Sequence, residues 1–140
     1  MLKKTIITLI LSLPLSVWAQ PKGGAIAQQE LIQALNAFAN ASCLAEQKDS
    51  YLKKTGEAWA NSLMEGNSEF NPEEVLIPLS ETVDKAIANT TAYVIRYEAS
   101  PTGDLELPIA YCFDVIHQPN VQALIRELSK KYSRLGKKPN

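Results

Sequence analysis

Cys43 and Cys112 are the only cysteines of the 140-residue chain, and they follow an N-terminal segment built for export. Met1-Leu2-Lys3-Lys4 is a short basic region. Ile6 to Leu15 is apolar, interrupted by Thr8, Ser12 and Pro14, and Val17-Trp18-Ala19 offers small residues for cleavage after Ala19. This is the pattern of a secretory signal peptide. Its apolar run is short of the roughly 20 residues that span a bilayer, and Gln20 is not the cysteine of a lipid anchor. A retained N-terminal anchor is the alternative. Two cysteines in an exported chain imply one disulfide; two free buried thiols are the other arrangement open to them. A 43–112 bridge closes a loop of roughly 70 residues, and the chain-entropy model assigns that roughly 4 kcal/mol. A domain of this size has about 5–15 kcal/mol in all, so the pair governs which folds are stable.

The mature chain, Gln20 to Asn140, is 121 residues long, enough for one domain with one modest core. Without Lys3 and Lys4, 12 basic residues face 15 acidic ones, a net charge of −3. That balance argues against a nucleic-acid binder, and no later stretch spans a membrane. The charges are uneven. From Glu57 to Glu106 ten acids are opposed only by Lys85 and Arg96, and from Arg126 onward six basic residues are opposed only by Glu127. Such blocks are commonly solvated faces or tails; the sharper reading is an acidic surface that steers a basic partner.

Periodicity predicts an all-α chain of five helices around one core, joined by one inter-helix disulfide. After a Pro/Gly lead-in at 20–24, the first helix runs from Ala25 to Glu46, with Leu31, Leu35, Phe38 and Cys43 on its inner stripe. Alanines at 34, 37, 39, 41 and 45 favour it further. Asp49 or Ser50 caps a second helix over Tyr51 to Met64, with Leu52, Thr55, Trp59 and Leu63 as its stripe and Trp59 as a core anchor. It ends at Gly66-Asn67-Ser68. Asn71-Pro72-Glu73-Glu74 is a helix start in which Asn caps, Pro suits the first position and the acids complement the dipole. Pro78 either kinks this third helix or restarts it at Leu79. Tyr93 to Tyr97 is rich in β-branched and aromatic residues, but without an evident partner strand it is assigned to the tail of the third helix. Ser100-Pro101-Thr102-Gly103-Asp104 is the clearest loop. A fourth helix over Leu107 to Ile116 breaks at His117-Gln118-Pro119, and a fifth spans Asn120 to Tyr132, with Gly136 beyond it.

Catalytic and cofactor signatures are not legible. There is no nucleophile elbow, zinc-protease motif, phosphate loop or dinucleotide fingerprint. One histidine and two distant cysteines do not make a zinc site. Cys112 and His117 stand five residues apart, on different faces of one helix, so they do not form a catalytic pair. His117, with Asp114 at i−3, suits a helix C-terminal cap. The expectation is a binding protein without cofactor or metal.

Three segments carry a resemblance. Ala41-Ser42-Cys43-Leu44-Ala45 lies on the first helix; Tyr97 to Leu107 places Ser100 and Gly103 ahead of Leu105-Glu106-Leu107-Pro108; Cys112-Phe113-Asp114-Val115-Ile116-His117 follows. In order and spacing they resemble the periplasmic immunity proteins that neutralise peptidoglycan amidases delivered by type VI secretion, in particular the Tai group paired with the fourth amidase effector family. The likeness runs over nearly the whole mature chain. It departs at Val115-Ile116, where Leu-Tyr is usual, and at Gln118-Pro119, where a Ser commonly follows the His. The resemblance implies an all-helical homodimer that works in the periplasm and inserts a loop into the amidase cleft, blocking its Cys–His pair. Here that loop is Ser100, Pro101, Thr102, Gly103, Asp104, Leu105 and Glu106, with Asp104 and Glu106 facing a basic rim. Residues 67–74 form a second candidate surface. The competing reading is a periplasmic acid-activated chaperone, also small, helical and stapled by one disulfide.

Overall fold

The structure is a computed structural model that describes residues 28–66, 71–99 and 101–135. The predicted signal peptide and lead-in, the start of the first helix at Ala25, residues 67–70, Ser100 and Gly136 lie outside the described residues. Five helices are present: α1 (Gln28–Ala45), α2 (Ser50–Gly66), α3 (Ile77–Asn89), α4 (Pro108–Ile116) and α5 (Pro119–Leu135). A two-stranded antiparallel hairpin, β1 (Val94–Arg96) and β2 (Asp104–Glu106), stands between α3 and α4.

Helix α1 is the hub, touching α2, α3, α4 and α5. Its alanines keep it slim, so neighbours approach on several sides, and Leu31, Leu35, Phe38, Ala39, Ala41, Ser42 and Cys43 are all buried. Around it close Val75, Leu76, Leu79 and Val83, then Tyr111, Cys112, Val115 and Ile116 from α4, and Val121, Ile125 and Leu128 from α5. Apolar burial of this kind contributes about 25 cal/mol per Å² removed from water. The Cys43–Cys112 disulfide joins α1 to α4 across 69 residues of sequence. Its sulfurs sit in this core, and the Gln47 amide spans them, donating to Cys43 O at 3.0 Å and to Cys112 Sγ at 3.4 Å.

Helix ends follow local chemistry. Asp49 Oδ1 accepts from the backbone N–H of Tyr51 and Leu52, so Asp49 rather than Ser50 closes the start of α2. Asn71 Oδ1 accepts from Glu73 N–H at 3.0 Å. The segment it caps, Pro72–Leu76, winds as a single wide π-helical turn, after which α3 begins at Ile77. Pro78 thus falls where this wide turn runs on into α3, with Leu76 and Ile77 both helical in φ and ψ and the Ile77 N–H bonded to Pro72 O. His117 closes α4 by bonding Phe113 O through both its backbone N–H (3.3 Å) and Nδ1 (2.7 Å), a structural cap of the kind its position predicts.

Two expectations are corrected. Tyr93 to Tyr97 is not the tail of α3. The helix stops at Asn89, Thr90 turns extended (φ −108°, ψ 129°), and Val94, Ile95 and Arg96 pair with Glu106, Leu105 and Asp104. The helical spacing yields there because β-branched and aromatic side chains suit an extended backbone once a partner strand exists. Trp59 is not a core anchor: it is exposed, and Gly56 is the only fully buried residue of α2. The row Leu52, Gly56, Ala60, Leu63 faces α1 instead. Its contact is made by the bare Gly56 backbone, because a large side chain at its centre would hold the helices apart.

Candidate partner-binding site

Among the described residues eleven large apolar side chains are exposed, and seven lie between positions 93 and 113: Tyr93, Val94, Ile95, Tyr97, Leu105, Ile109 and Phe113. That concentration marks one region of the molecule, since scattered exposed apolar residues are ordinary but a cluster is not. The region has two parts, the hairpin and the outward side of α4.

The hairpin is built by its own alternation. Tyr97 N–H donates to Gly103 O at 2.8 Å and Leu107 N–H to Tyr93 O at 3.1 Å, continuing the ladder beyond both strands. Gly103 takes φ 76°, the left-handed conformation that lets the chain enter β2. Side chains alternate across the ribbon. Tyr93, Ile95, Tyr97 and Leu105 share one face; Val94, Arg96, Asp104 and Glu106 share the other. The Tyr93 hydroxyl donates to Asp114 Oδ2 on α4 and ties the base of the ribbon to the bundle. This bond to the carboxylate, with its charge beside the phenol, raises the Tyr93 pKa above its ordinary value.

On α4, Ile109 and Phe113 lie one turn apart and both face outward, 70% and 58% exposed. The Phe113 ring stacks on His117 with centroids 4.1 Å apart. Leu107, Pro108, Ile109, Ala110 and Phe113, with Glu106 at the edge, line an open recess of about 430 Å³. Acidic groups surround the region: Glu98, Asp104, Glu106 and Asp114, against Arg96 alone among lysines and arginines between positions 86 and 125.

The segment singled out from sequence therefore falls on the hairpin. Pro101, Thr102 and Gly103 form its connection, and Asp104, Leu105 and Glu106 are β2. The Thr102 hydroxyl donates to Asp104 O at 3.3 Å. Ser100 lies outside the described residues. Cys43 and Cys112 are bonded to each other. In the second candidate surface the described part, Asn71 to Glu74, is exposed, with two of its side chains bonded within the chain. Asn71 caps, and Glu74 accepts from Lys131 Nζ at 3.0 Å and from the Tyr132 hydroxyl at 2.8 Å. These bonds, Lys131 first and Tyr132 second, hold the Glu74 carboxyl below its ordinary pKa. Among the described residues no three His, Cys, Asp or Glu side chains gather to hold a metal ion.

The comparisons with family models, curated proteins and solved structures give no match to this chain. The site thus stands on its own geometry. Sequence reasoning missed Tyr93, Val94, Ile95, Tyr97, Ile109 and Phe113. Half of the signal for the first four was present: the β-prone run Tyr93 to Tyr97 precedes a Pro/Gly turn, but its partner, Asp104-Leu105-Glu106, is not β-prone. For Ile109 and Phe113 there was none, because α4 carries apolar residues on nearly every side.

Proposed function

We propose that this chain is an exported, periplasmic immunity-type inhibitor whose hairpin, residues 93–107, enters and blocks the catalytic cleft of a secreted peptidoglycan amidase. One observation carries the reading: a protruding ribbon with exposed apolar residues and an acidic border, fixed at both ends to a disulfide-braced core. A segment already ordered before binding forfeits less conformational freedom on docking. The acids at 98, 104, 106 and 114 favour a cleft with a basic border and speed encounter with it. The exposed apolar groups supply the desolvation that holds a complex together.

The test is inhibition of peptidoglycan peptide cleavage by secreted amidases of this effector class, followed by chromatography of the released fragments. Stoichiometric inhibition by the mature chain is expected. A variant in which residues 98–102 are replaced by a two-residue Asn-Gly turn, closed by the bonded pair Tyr97 and Gly103, should keep the helical circular dichroism and the disulfide but lose inhibition. Full inhibition by that variant removes the hairpin from the mechanism. Failure to bind the hydrolase, together with suppression of client aggregation only after acidification, assigns the chain to the chaperone reading instead.

A further inference from the structure

A second concavity lies away from the hairpin, between α1, α2 and α3. Helices α2 and α3 both pack on α1 rather than on each other, and small residues at their facing positions leave the space between them unfilled. The result is an open groove of about 340 Å³, within the size range of small-ligand sites. Its walls are ordered from polar to apolar. Phe38, Ser42 and Glu46 follow at four-residue steps along α1 and just beyond its end; Glu57, Ala60 and Met64 form the matching row on α2. The two helices run antiparallel, joined by the short link 46–49, and Gly56 lies against Ala45. Glu46 and Glu57 therefore stand at one end, Phe38 and Met64 at the other. Ser80 closes the α3 side.

Two observations mark this groove as a ligand site. Ser42 is only 8% exposed, yet its hydroxyl has no hydrogen-bond partner among the described residues. Every sealed side-chain oxygen or nitrogen among them does have one, so this hydroxyl opens onto the groove that it lines. An unpaired polar group in so buried a setting costs free energy that a ligand would recover. The second observation is charge. Neither Glu46 nor Glu57 forms an ion pair among the described residues, where the one salt bridge joins Lys131 to Glu74. Lys53 and Lys54 precede Glu57 by a turn without pairing with it, and no lysine or arginine lines the groove. We propose that the groove binds a small aliphatic amine, its ammonium held between Glu46 and Glu57 and its alkyl chain laid over Ala60 toward Phe38 and Met64. An ammonium carries three donors; two carboxylates and the Ser42 hydroxyl, one turn from Glu46, are the acceptors that match them. The order of the walls fixes the orientation. A carboxylate head would meet two like charges, and a diamine would have to set its second ammonium against the apolar end. The site is separate from the hairpin and stands whatever the hairpin binds.

The experiment is a titration of the mature, oxidised, isotope-labelled chain with hexylammonium chloride, followed through its amide chemical shifts by NMR at constant ionic strength. Saturable shifts confined to residues 38–46, 57–64 and 80 are expected. Butylammonium, with less chain to bury, should bind several-fold more weakly, as should the diamine of hexylammonium's length, and hexanoate should not bind. Glu57→Gln should weaken hexylammonium binding by about tenfold, the share of one charged hydrogen bond, and Ser42→Ala by several-fold. Ala60→Leu fills the groove and should abolish saturation. Helical circular dichroism verifies folding, and Glu57→Gln, at an exposed position, answers the question if Ala60→Leu misfolds. Absence of saturable shifts with hexylammonium overturns the proposal. So does equal binding of hexanoate, which would reduce the groove to an apolar crevice, or unchanged affinity in Glu57→Gln. Shifts gathered at Ile109 and Phe113 instead would put amine binding on α4 and overturn it as well.

Discussion

Replacing glycine by alanine inside a helix ordinarily stabilises it by up to about 1 kcal/mol. At Gly56 the sign should reverse. A Cβ built there would stand 2.4 Å from Ala45 N, 2.6 Å from Ala41 O and 2.8 Å from Leu44 C. All three are backbone atoms of α1 or its carboxyl end, so no side chain can rotate out of the way. Restoring a contact of about 3.5 Å moves α2 off α1 by about 1 Å and lifts Leu52, Ala60 and Leu63 from the surface they half-cover. Overpacking costs typically 1–3 kcal/mol, and three backbone overlaps place Gly56→Ala at the upper end. After the propensity gain, a net loss of about 2 kcal/mol remains. With a urea slope near 2 kcal/mol/M, the unfolding midpoint should fall by about 1 M when followed by circular dichroism on the oxidised chain. Gly66→Ala is the control. Nothing lies within 4 Å of its added Cβ, and its midpoint should hold or rise slightly. An unchanged or higher midpoint for Gly56→Ala would refute the close-approach account of how α2 is held.

Replacing both Cys43 and Cys112 with alanine removes a bridge spanning 69 residues; the chain-entropy model predicts a loss of ~4 kcal/mol, checked by urea unfolding, and a loss under about 1 kcal/mol would show that packing alone holds α4. Tyr93 has a raised pKa from its bond to Asp114, so its contribution is fully present below the ordinary tyrosine value of 10.0 and lost as pH rises through the folded-state value. Hydrogen exchange of the hairpin amides should accelerate over that alkaline window in the wild type, while Tyr93→Phe should exchange faster at neutral pH and lose the pH step. Glu74 has a lowered pKa, so the advantage of wild type over Glu74→Gln should be present above pH 4.5 and vanish as pH falls through the lower folded-state value. Paired urea midpoints across the acid range check this, and a constant difference would contradict the assignment.

Much of the bundle is legible because it is local. Leu31, Leu35, Phe38 and Cys43 recur at helical steps, and Asn71-Pro72 and Asp49 announce helix starts through short-range hydrogen bonds. The hairpin is less legible for a physical reason. Both its faces are exposed, so no alternation between core and solvent is imprinted on Tyr93 to Tyr97, and the partner strand lies beyond a turn. Trp59 misleads in another way. Periodicity finds the side of α2 that carries large residues, but α2 leans almost wholly on α1, and the seam is chosen by how closely two backbones can approach. Cys43 and Cys112 are readable as a candidate pair because they are the chain's two cysteines; that they bond rather than stay free thiols comes from the fold, which sets α1 against α4.

An isolated two-stranded ribbon is marginal in water, and this one buries little of its own, so its order must come from the two helices that frame it. The Tyr111 hydroxyl donates to Ile87 O at 2.8 Å, and the Gln118 amide to Thr90 Oγ1 at 3.2 Å. These bonds pin the end of α3 to the first turn of α4 and to the α4–α5 corner. Burial at the foot of α4 raises the Tyr111 pKa, as expected of a phenol kept as a neutral donor. The disulfide then fixes α4 to α1, so hub, framing helices and ribbon form one chain of restraints. Loosening any link raises the freedom that the ribbon must give up on binding, although no hairpin residue has changed. The core of this protein therefore acts on the hairpin through entropy: substitutions at Gly56 and Cys112, both buried and remote from the tip, should weaken association with a partner in proportion to the order they remove from residues 93–107.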